Sequence, residues 1–243
     1  MRYFITFSYQ GSSYHGWQRQ PDASSVQQTL EEALKLFLKE DVSLVGAGRT
    51  DTGVHAKVMV AHFDTQQSFE IEELIYRLNA YLDESIAILS IVEVKADAHA
   101  RFDATSRSYE YWVVQQKNPF LAQAAYYITH PLDINRMNEA AALMLEHKDF
   151  ECFSKSNTDV YTYLCDVTRA EWVFEGERLV FHVSANRFLR NMVRAIVGTL
   201  LEVGKGKMSI DEFKAVLDSK DRRNAGPSVP AKGLYLTTIQ YPY

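Results

Sequence analysis

Apolar and polar positions along this chain repeat with two periods, and the switches between them mark its elements. Residues 2–9 alternate Tyr3, Ile5, Phe7 and Tyr9 with Phe4, Thr6 and Ser8, a period-two run that predicts a strand. Residues 10–24, rich in Gly, Ser, Gln and Pro, read as a loop. Ser25 and Gln28 form a capping box ahead of Val26, Leu30, Ala33, Leu34 and Phe37 at helical spacing. A strand is expected at about 42–47, then a glycine-rich turn, then a strand across Lys57–Phe63. Ile71, Leu74, Ile75 and Leu78 mark a second amphipathic helix, and Ile86–Val94 a near-continuous apolar strand. The pattern lapses between Lys95 and Arg107, so an N-terminal domain over 1–104 and a C-terminal domain over 105–243 are expected. The second half repeats the plan: a strand at Ser108–Gln115, a helix at Asp133–Leu145 and strands near 164–174 and 178–185. A long helix at about 187–203, a helix capped by Ser209 with Glu212 and a closing strand Leu234–Tyr241 complete it. This order predicts an α+β fold of two halves, each with a mainly antiparallel sheet and helices on its outer face.

Composition narrows the class. The 243 residues are 47% hydrophobic and 23% charged, ordinary for a globular protein able to bury a sizeable core. No apolar run approaches the roughly 18–20 residues of a membrane span. The N-terminus lacks the apolar stretch and cleavage site of a signal peptide, and Cys152 and Cys165 are too few for a disulfide framework, so the cytoplasm is expected. The net charge of −5 argues against indiscriminate nucleic-acid binding.

The cations are nevertheless unevenly spread. Residues 186–207 carry Arg187, Arg190, Arg194, Lys205 and Lys207 against Glu202 alone. Read as one helix at about 100° per residue, Arg187, Arg190 and Arg194 fall within roughly 60° of one another. They lie opposite an apolar stripe of Phe188, Leu189, Met192, Val193, Ile196, Val197 and Leu200. Arg187 and Arg190 then occupy the first turn, where the helix dipole disfavours cations by about 0.3–1 kcal/mol unless an anion compensates them. A solvated basic face is the plainer alternative.

The densest chemistry is Gly46-Ala47-Gly48-Arg49-Thr50-Asp51-Thr52-Gly53-Val54-His55-Ala56. As a dinucleotide fingerprint it fails, because Asp51 stands at the third glycine position and would repel a pyrophosphate. As a phosphate-binding P-loop it fails too, because Val54-His55 replace the Lys-Ser/Thr pair. What remains is a strand-to-strand loop exposing one carboxylate beside Arg49 and hydroxyls, or an ordinary hairpin in which Asp51 caps the turn.

Arg49-Thr50-Asp51-Thr52-Gly53-Val54-His55-Ala56 closely resembles the signature of the TruA family of tRNA pseudouridine synthases. Ser8-Tyr9-Gln10-Gly11 and Tyr14-His15-Gly16-Trp17-Gln18-Arg19-Gln20-Pro21 resemble its N-terminal loop. Ala98-His99-Ala100-Arg101-Phe102-Asp103-Ala104 and Arg107-Ser108-Tyr109-Glu110-Tyr111 resemble its central motifs. Phe188-Leu189-Arg190-Asn191-Met192-Val193-Arg194 and Pro230-Ala231-Lys232-Gly233-Leu234-Tyr235-Leu236 resemble the C-terminal ones. Thr52 stands where Ala is commoner, and His147-Lys148-Asp149-Phe150 fits more loosely.

The resemblance implies the pseudouridine synthase fold with a central catalytic cleft, and conversion of uridines 38, 39 and 40 of the tRNA anticodon stem-loop to pseudouridine. It implies no cofactor and no metal, a homodimer, tRNA as partner and no membrane. Asp51 matches the nucleophile, attacking the sugar C1′ or the base C6. Tyr109 matches the tyrosine that stacks on the target base, although on residue type alone it reads as a core aromatic. Arg194 matches the arginine that pairs with the aspartate and holds it ionised. The base must be flipped to reach a carboxylate, and Arg49 is the candidate for guarding the vacated space. Lys57, Arg101, Arg107, Lys155, Arg187 and Arg190 are candidate phosphate contacts. A non-catalytic RNA-binding protein on the same fold is the alternative, as is a metal-dependent hydrolase using Asp51 and His55. His55 and His62 fall on opposite faces of a strand and make poor co-ligands. Cys152 and Cys165 read as reduced and buried.

Overall fold

The computed structural model describes residues 1–155 and 161–243. In chain order the main elements are strand β1 (Arg2–Tyr9), helix α1 (Val26–Leu38), β2 (Val45–Gly46), β3 (His55–Asp64), α2 (Ile71–Tyr81), β4 (Ile86–Val94) and β5 (Ser106–Val114). There follow β6 (Tyr126–Tyr127), α3 (Ile134–Glu146), β7 (Val167–Glu175), β8 (Arg178–Ala185), α4 (Met192–Gly204), α5 (Ile210–Ser219) and β9 (Leu234–Gln240). The chain divides into two compact units, Met1–Thr105 with Tyr235–Tyr243, and Ser106–Leu234. Strands and helices are mixed in both, the expected α+β class. Among the described residues no helix is long and apolar enough to cross a membrane.

In the first unit β1 pairs antiparallel with both β3 and β4, β2 pairs antiparallel with β3, and β9 pairs parallel with β3. The C-terminal strand thus lies with the N-terminal unit, with Tyr235 opposite His55 and Leu236 opposite Ala56. Tyr9 pairs with Ala56 after a bulge between Phe7 and Tyr9, which brings the end of β1 beside the residues leading out of the glycine-rich turn. The expected strand at 42–47 shrinks to Val45–Gly46, because the backbone of Leu44 is taken by side chains of α1: its N–H donates to Glu31 Oε1 and its carbonyl accepts from Gln27 Nε2, each at 3.0 Å. At α1, Ser25 Oγ accepts from Gln28 N at 3.3 Å, but the Gln28 side chain bonds Glu32 at 2.8 Å, so only half of the capping box forms.

In the second unit β8 lies between β5 and β7, antiparallel to both, and β6 pairs parallel with β5. Helix α3 packs on β7 and touches α4 and α5. Helix α5 has the full reciprocal box, with Glu212 N donating to Ser209 Oγ at 3.1 Å and Ser209 N to Glu212 Oε2 at 2.7 Å. Strand β7 begins at Val167 rather than near 164, since Cys165 N is committed to Lys148 O at 2.9 Å.

The basic helix expected from Arg187 is corrected. Helix α4 starts at Met192, because Asn191 adopts φ 67°, a left-handed conformation that ends any right-handed helix and that Asn tolerates. Arg187 and Arg190 therefore precede the helix, and neither the shared face nor the opposition to its dipole exists. Of the α4 side chains only Arg194 and Glu202 are not buried, so this is a central helix, not one with a solvated side. Ile196 and Leu200 are wholly inaccessible, each contributing about 1.5–3 kcal/mol of burial.

Candidate active site

Asp51 is half-buried on the loop between β2 and β3, and the loop is braced from the N-terminal segment. The Asp51 carbonyl accepts from Val54 N at 3.1 Å, closing a turn completed by Gly53 at φ 77°. Thr50 O accepts from Trp17 N at 3.3 Å, Gly53 N donates to Tyr14 O at 3.3 Å, and Tyr9 Oη lies 2.8 Å from Thr50 Oγ1. Two glycines allow this closeness. A Cβ at Gly16, whose φ is +93°, would lie 2.4 Å from Thr50 O and 3.1 Å from Asp51 C. At Gly11 it would lie 1.9 Å from Val54 O. By contrast, nothing lies within 4 Å of a Cβ at Gly48.

His55 is buried and stacked on Tyr235, centroids 4.6 Å apart, and its Nδ1 accepts from Gly11 N at 3.0 Å. A neutral ring with that acceptor carries its proton on Nε2. Arg49 is exposed beside Asp51 on the same loop. Lys57 is exposed on β3, with Nζ 5.9 Å above the Tyr235 ring. Together with Tyr9, His55, Glu84, Ser85 and Tyr235 it lines a cleft of about 270 Å³.

Arg101 stands apart from these. It sits on a turn in which His99 Nδ1 accepts from Arg101 N at 3.1 Å and Asp103 Oδ2 accepts from His99 N at 2.7 Å. The turn is anchored by Ala100 N donating to His62 Nδ1 at 3.2 Å. His62 lies seven strand residues beyond His55, roughly 23 Å at the rise of a β-strand, so Arg101 is not gathered at the Asp51 loop. Burial, aided by nearby Arg2, lowers the His62 pKa to about 4 and keeps the ring neutral. Arg101 lies 5.7 Å from the centroid of Phe102, which is 74% exposed.

In the second unit Arg107, Tyr109 and Tyr111 share one face of β5 by alternation. Tyr109 is half-buried and meets Phe188 edge to face, centroids 5.1 Å apart. Arg107 Nη1 donates to Asn186 O at 2.9 Å, and Arg187 Nη1 to Thr162 O at 3.3 Å. Arg190 is exposed, its carbonyl accepting from Lys155 N at 3.0 Å. Tyr111 is buried and its hydroxyl donates to Pro230 O at 2.8 Å; desolvation pushes its pKa up, and the Arg194 cation offsets part of that rise. Arg194 Nε donates to Val229 O at 2.8 Å. Consecutive carbonyls thus hold Tyr111 and Arg194, and Tyr109 is one strand repeat, about 7 Å, from Tyr111. This unit places Tyr109 on the face of β5 that carries Tyr111, and holds Tyr111 and Arg194 on neighbouring carbonyls.

Reading the sequence missed the roles of Gly11, Gly16, Tyr9, Phe188 and Val229. The period-two spacing of Arg107, Tyr109 and Tyr111 was a visible signal; the glycine contacts are set by tertiary approach and left none. Cys152 and Cys165 are buried free thiols, their pKa values pushed up to about 12 and about 11, mainly by desolvation. Among the described residues no group of three or more His, Cys, Asp or Glu could hold a metal ion.

Comparison with known proteins places the chain. A family model described as tRNA pseudouridine synthase matches residues 5–103 and 140–242. A protein of Porphyromonas gingivalis named tRNA pseudouridine synthase A is 51% identical over 99% of this chain and 97% of its own length. One of Bacteroides fragilis with that name is 49% identical over 99% of this chain and 96% of its own. One of Haemophilus ducreyi, also so named, is 38% identical over 100% of this chain and 94% of its own. With the Arg49–Ala56 signature on a braced loop and nearly the whole length matched, this chain belongs to the tRNA pseudouridine synthase family.

Proposed function

We propose that this chain isomerises uridines 38, 39 and 40 of the tRNA anticodon stem-loop to pseudouridine, with Asp51 as nucleophile. The observation that carries the reading is the near-complete match, at about half identity, to proteins named for this activity. The binding-only alternative is not favoured, since those relatives carry an enzyme's name. In the reaction the N1–C1′ glycosidic bond breaks, the uracil turns, and C5 bonds C1′. C5 loses its proton and N1 gains one, so product and substrate are isomers and the balance requires no oxidant or group donor. An ionised carboxylate that adds covalently, at C1′ or at C6, divides the difficult cleavage into two steps.

Each other residue has a role within that scheme. Arg194, whose Nε donates to Val229 O, takes the part of the family arginine that stabilises the catalytic carboxylate. Tyr109, steadied by Phe188, stacks on the flipped uracil and accepts the C5 proton late in the reaction. Arg49 guards the space the base leaves. Lys57, Arg101, Arg107, Arg187 and Arg190 contact phosphates, and the spread of Arg101 away from the Asp51 loop suits a substrate as long as a stem-loop. The protein works in the cytoplasm as a homodimer. Mass-spectrometric mapping of tRNA from cells lacking this protein tests the reading: pseudouridine disappears at 38–40 and returns on treatment with the purified protein. Unchanged pseudouridine at all three positions overturns it.

A further inference from the structure

The residues Ala225–Pro230 form a strap along α4 from Asn191 to Thr199. Gly226 N donates to Thr199 Oγ1 at 2.9 Å, and Pro227 O lies 1.7 Å from where a Cβ of Gly198 would stand, so backbone rests on helix with no side chain between. Val229 and Arg194 are bonded twice: Val229 N donates to Arg194 O at 3.2 Å, and Arg194 Nε to Val229 O at 2.8 Å. The second bond fixes the side-chain torsions of the arginine and so the direction of its Nη pair. Midway along the strap, Ser228 Oγ accepts from Asn191 Nδ2 at 2.7 Å and from Arg222 Nη2 at 3.0 Å. Asn191 is the left-handed residue that starts α4, so one hydroxyl ties the strap to the helix cap three residues before Arg194.

We infer that Ser228 is a positioning residue for the isomerisation: by pinning the strap it sets the Val229 carbonyl and, through it, the orientation of the Arg194 guanidinium. The inference rests on the reading that Arg194 pairs with Asp51. Its chemistry is simple. A guanidinium held at Nε is pre-organised, whereas one released from Val229 samples several rotamers, and a misplacement of about 1 Å in such a group costs roughly 10²-fold in rate.

The test measures kcat and KM for pseudouridine formation on tRNA, with thermal midpoints recorded in parallel. Arg194→Ala first checks the underlying reading and is expected to lose at least about 10²-fold in kcat. Ser228→Ala is expected to lower kcat about tenfold with KM changed less than about twofold, and Ser228→Thr, which keeps the hydroxyl, to restore kcat to within about threefold. Arg222→Ala, removing the other donor, should lower kcat in the same direction. The decisive arm is Arg194→Lys, which keeps charge but has no Nε–H for Val229: in that background Ser228→Ala should change kcat less than about twofold. Wild-type kcat in Ser228→Ala, or an equal loss in both backgrounds, overturns the positioning role. If Arg194→Ala itself is unimpaired, the pairing reading falls and takes this inference with it.

Discussion

Gly16→Ala places a methyl group where the Asp51 loop already lies. The new Cβ would be 2.4 Å from Thr50 O and 3.1 Å from Asp51 C, so the loop must retreat. A tolerable carbon–oxygen contact is about 3.2 Å or more, which calls for a shift of close to 1 Å. The backbone at φ +93° adds strain for any L side chain, about 1–2 kcal/mol, and overpacking a fitted site costs about 1–3 kcal/mol more. Together these give an expected loss of about 2–5 kcal/mol in urea unfolding. Because the displaced residue is the immediate neighbour of Asp51, the rate of pseudouridine formation should also fall about 10²-fold. Gly48→Ala is the internal control. It makes the same change within the glycine-rich turn that carries Asp51, but with open space and no positive φ, so stability should stay within about 0.5 kcal/mol and the rate should be unchanged. Tritium released from C5-labelled uridine in tRNA measures the rate. A Gly16→Ala protein with wild-type stability and rate would refute the bracing argument, as would equal damage from Gly48→Ala.

Three further outcomes follow from the contacts described. His62 takes up a proton near pH 6.5 when unfolded but only at about 4 when folded, so the unfolded state binds more protons in between. Stability should therefore fall as pH drops from about 6.5 towards 4, by about 1–2 kcal/mol after allowing for screening, and His62→Gln should flatten this slope in urea titrations; identical wild-type stability at pH 7.5 and 5 would contradict it. Phe188→Ala removes the edge-to-face partner of Tyr109 and is expected to lower kcat more than it raises KM, whereas Phe188→Leu retains most of the packing; steady-state kinetics separate these outcomes. Ser209→Ala breaks the reciprocal cap of α5 and should cost about 1 kcal/mol by thermal unfolding without affecting the rate.

What was legible in the sequence depended on how local its cause was. Strand β4 runs over Ile86–Val94 as its apolar run predicts, and α3 is capped by Asp133, because nine or thirteen consecutive side chains carry those signals. The start of α4 was misread because its apolar run continues back through Leu189 and Phe188, while the residue that ends the helix, Asn191, is fixed by Ser228 far along the chain. The glycines show the same division. Gly46 and Gly48 draw the eye by their spacing, yet the close approach to the Asp51 loop is made by Gly11 and Gly16 from a stretch that reads as an ordinary loop. Strand β9 is plain as a strand, but its parallel pairing with β3 at His55 and Ala56 is decided by contacts across most of the chain. Of the candidate site, the residue types and motifs were readable, and the carbonyls of Val229 and Pro230 that hold Arg194 and Tyr111 were not.

The central claim is that Asp51 performs the chemistry. Asp51→Ala, purified and incubated with an anticodon stem-loop bearing uridine at 39, measures it directly. Retained tRNA binding is expected, since the cations proposed to contact phosphates are untouched, with no detectable pseudouridine by mass spectrometry. Pseudouridine formed by this variant at anything near the wild-type rate would contradict it.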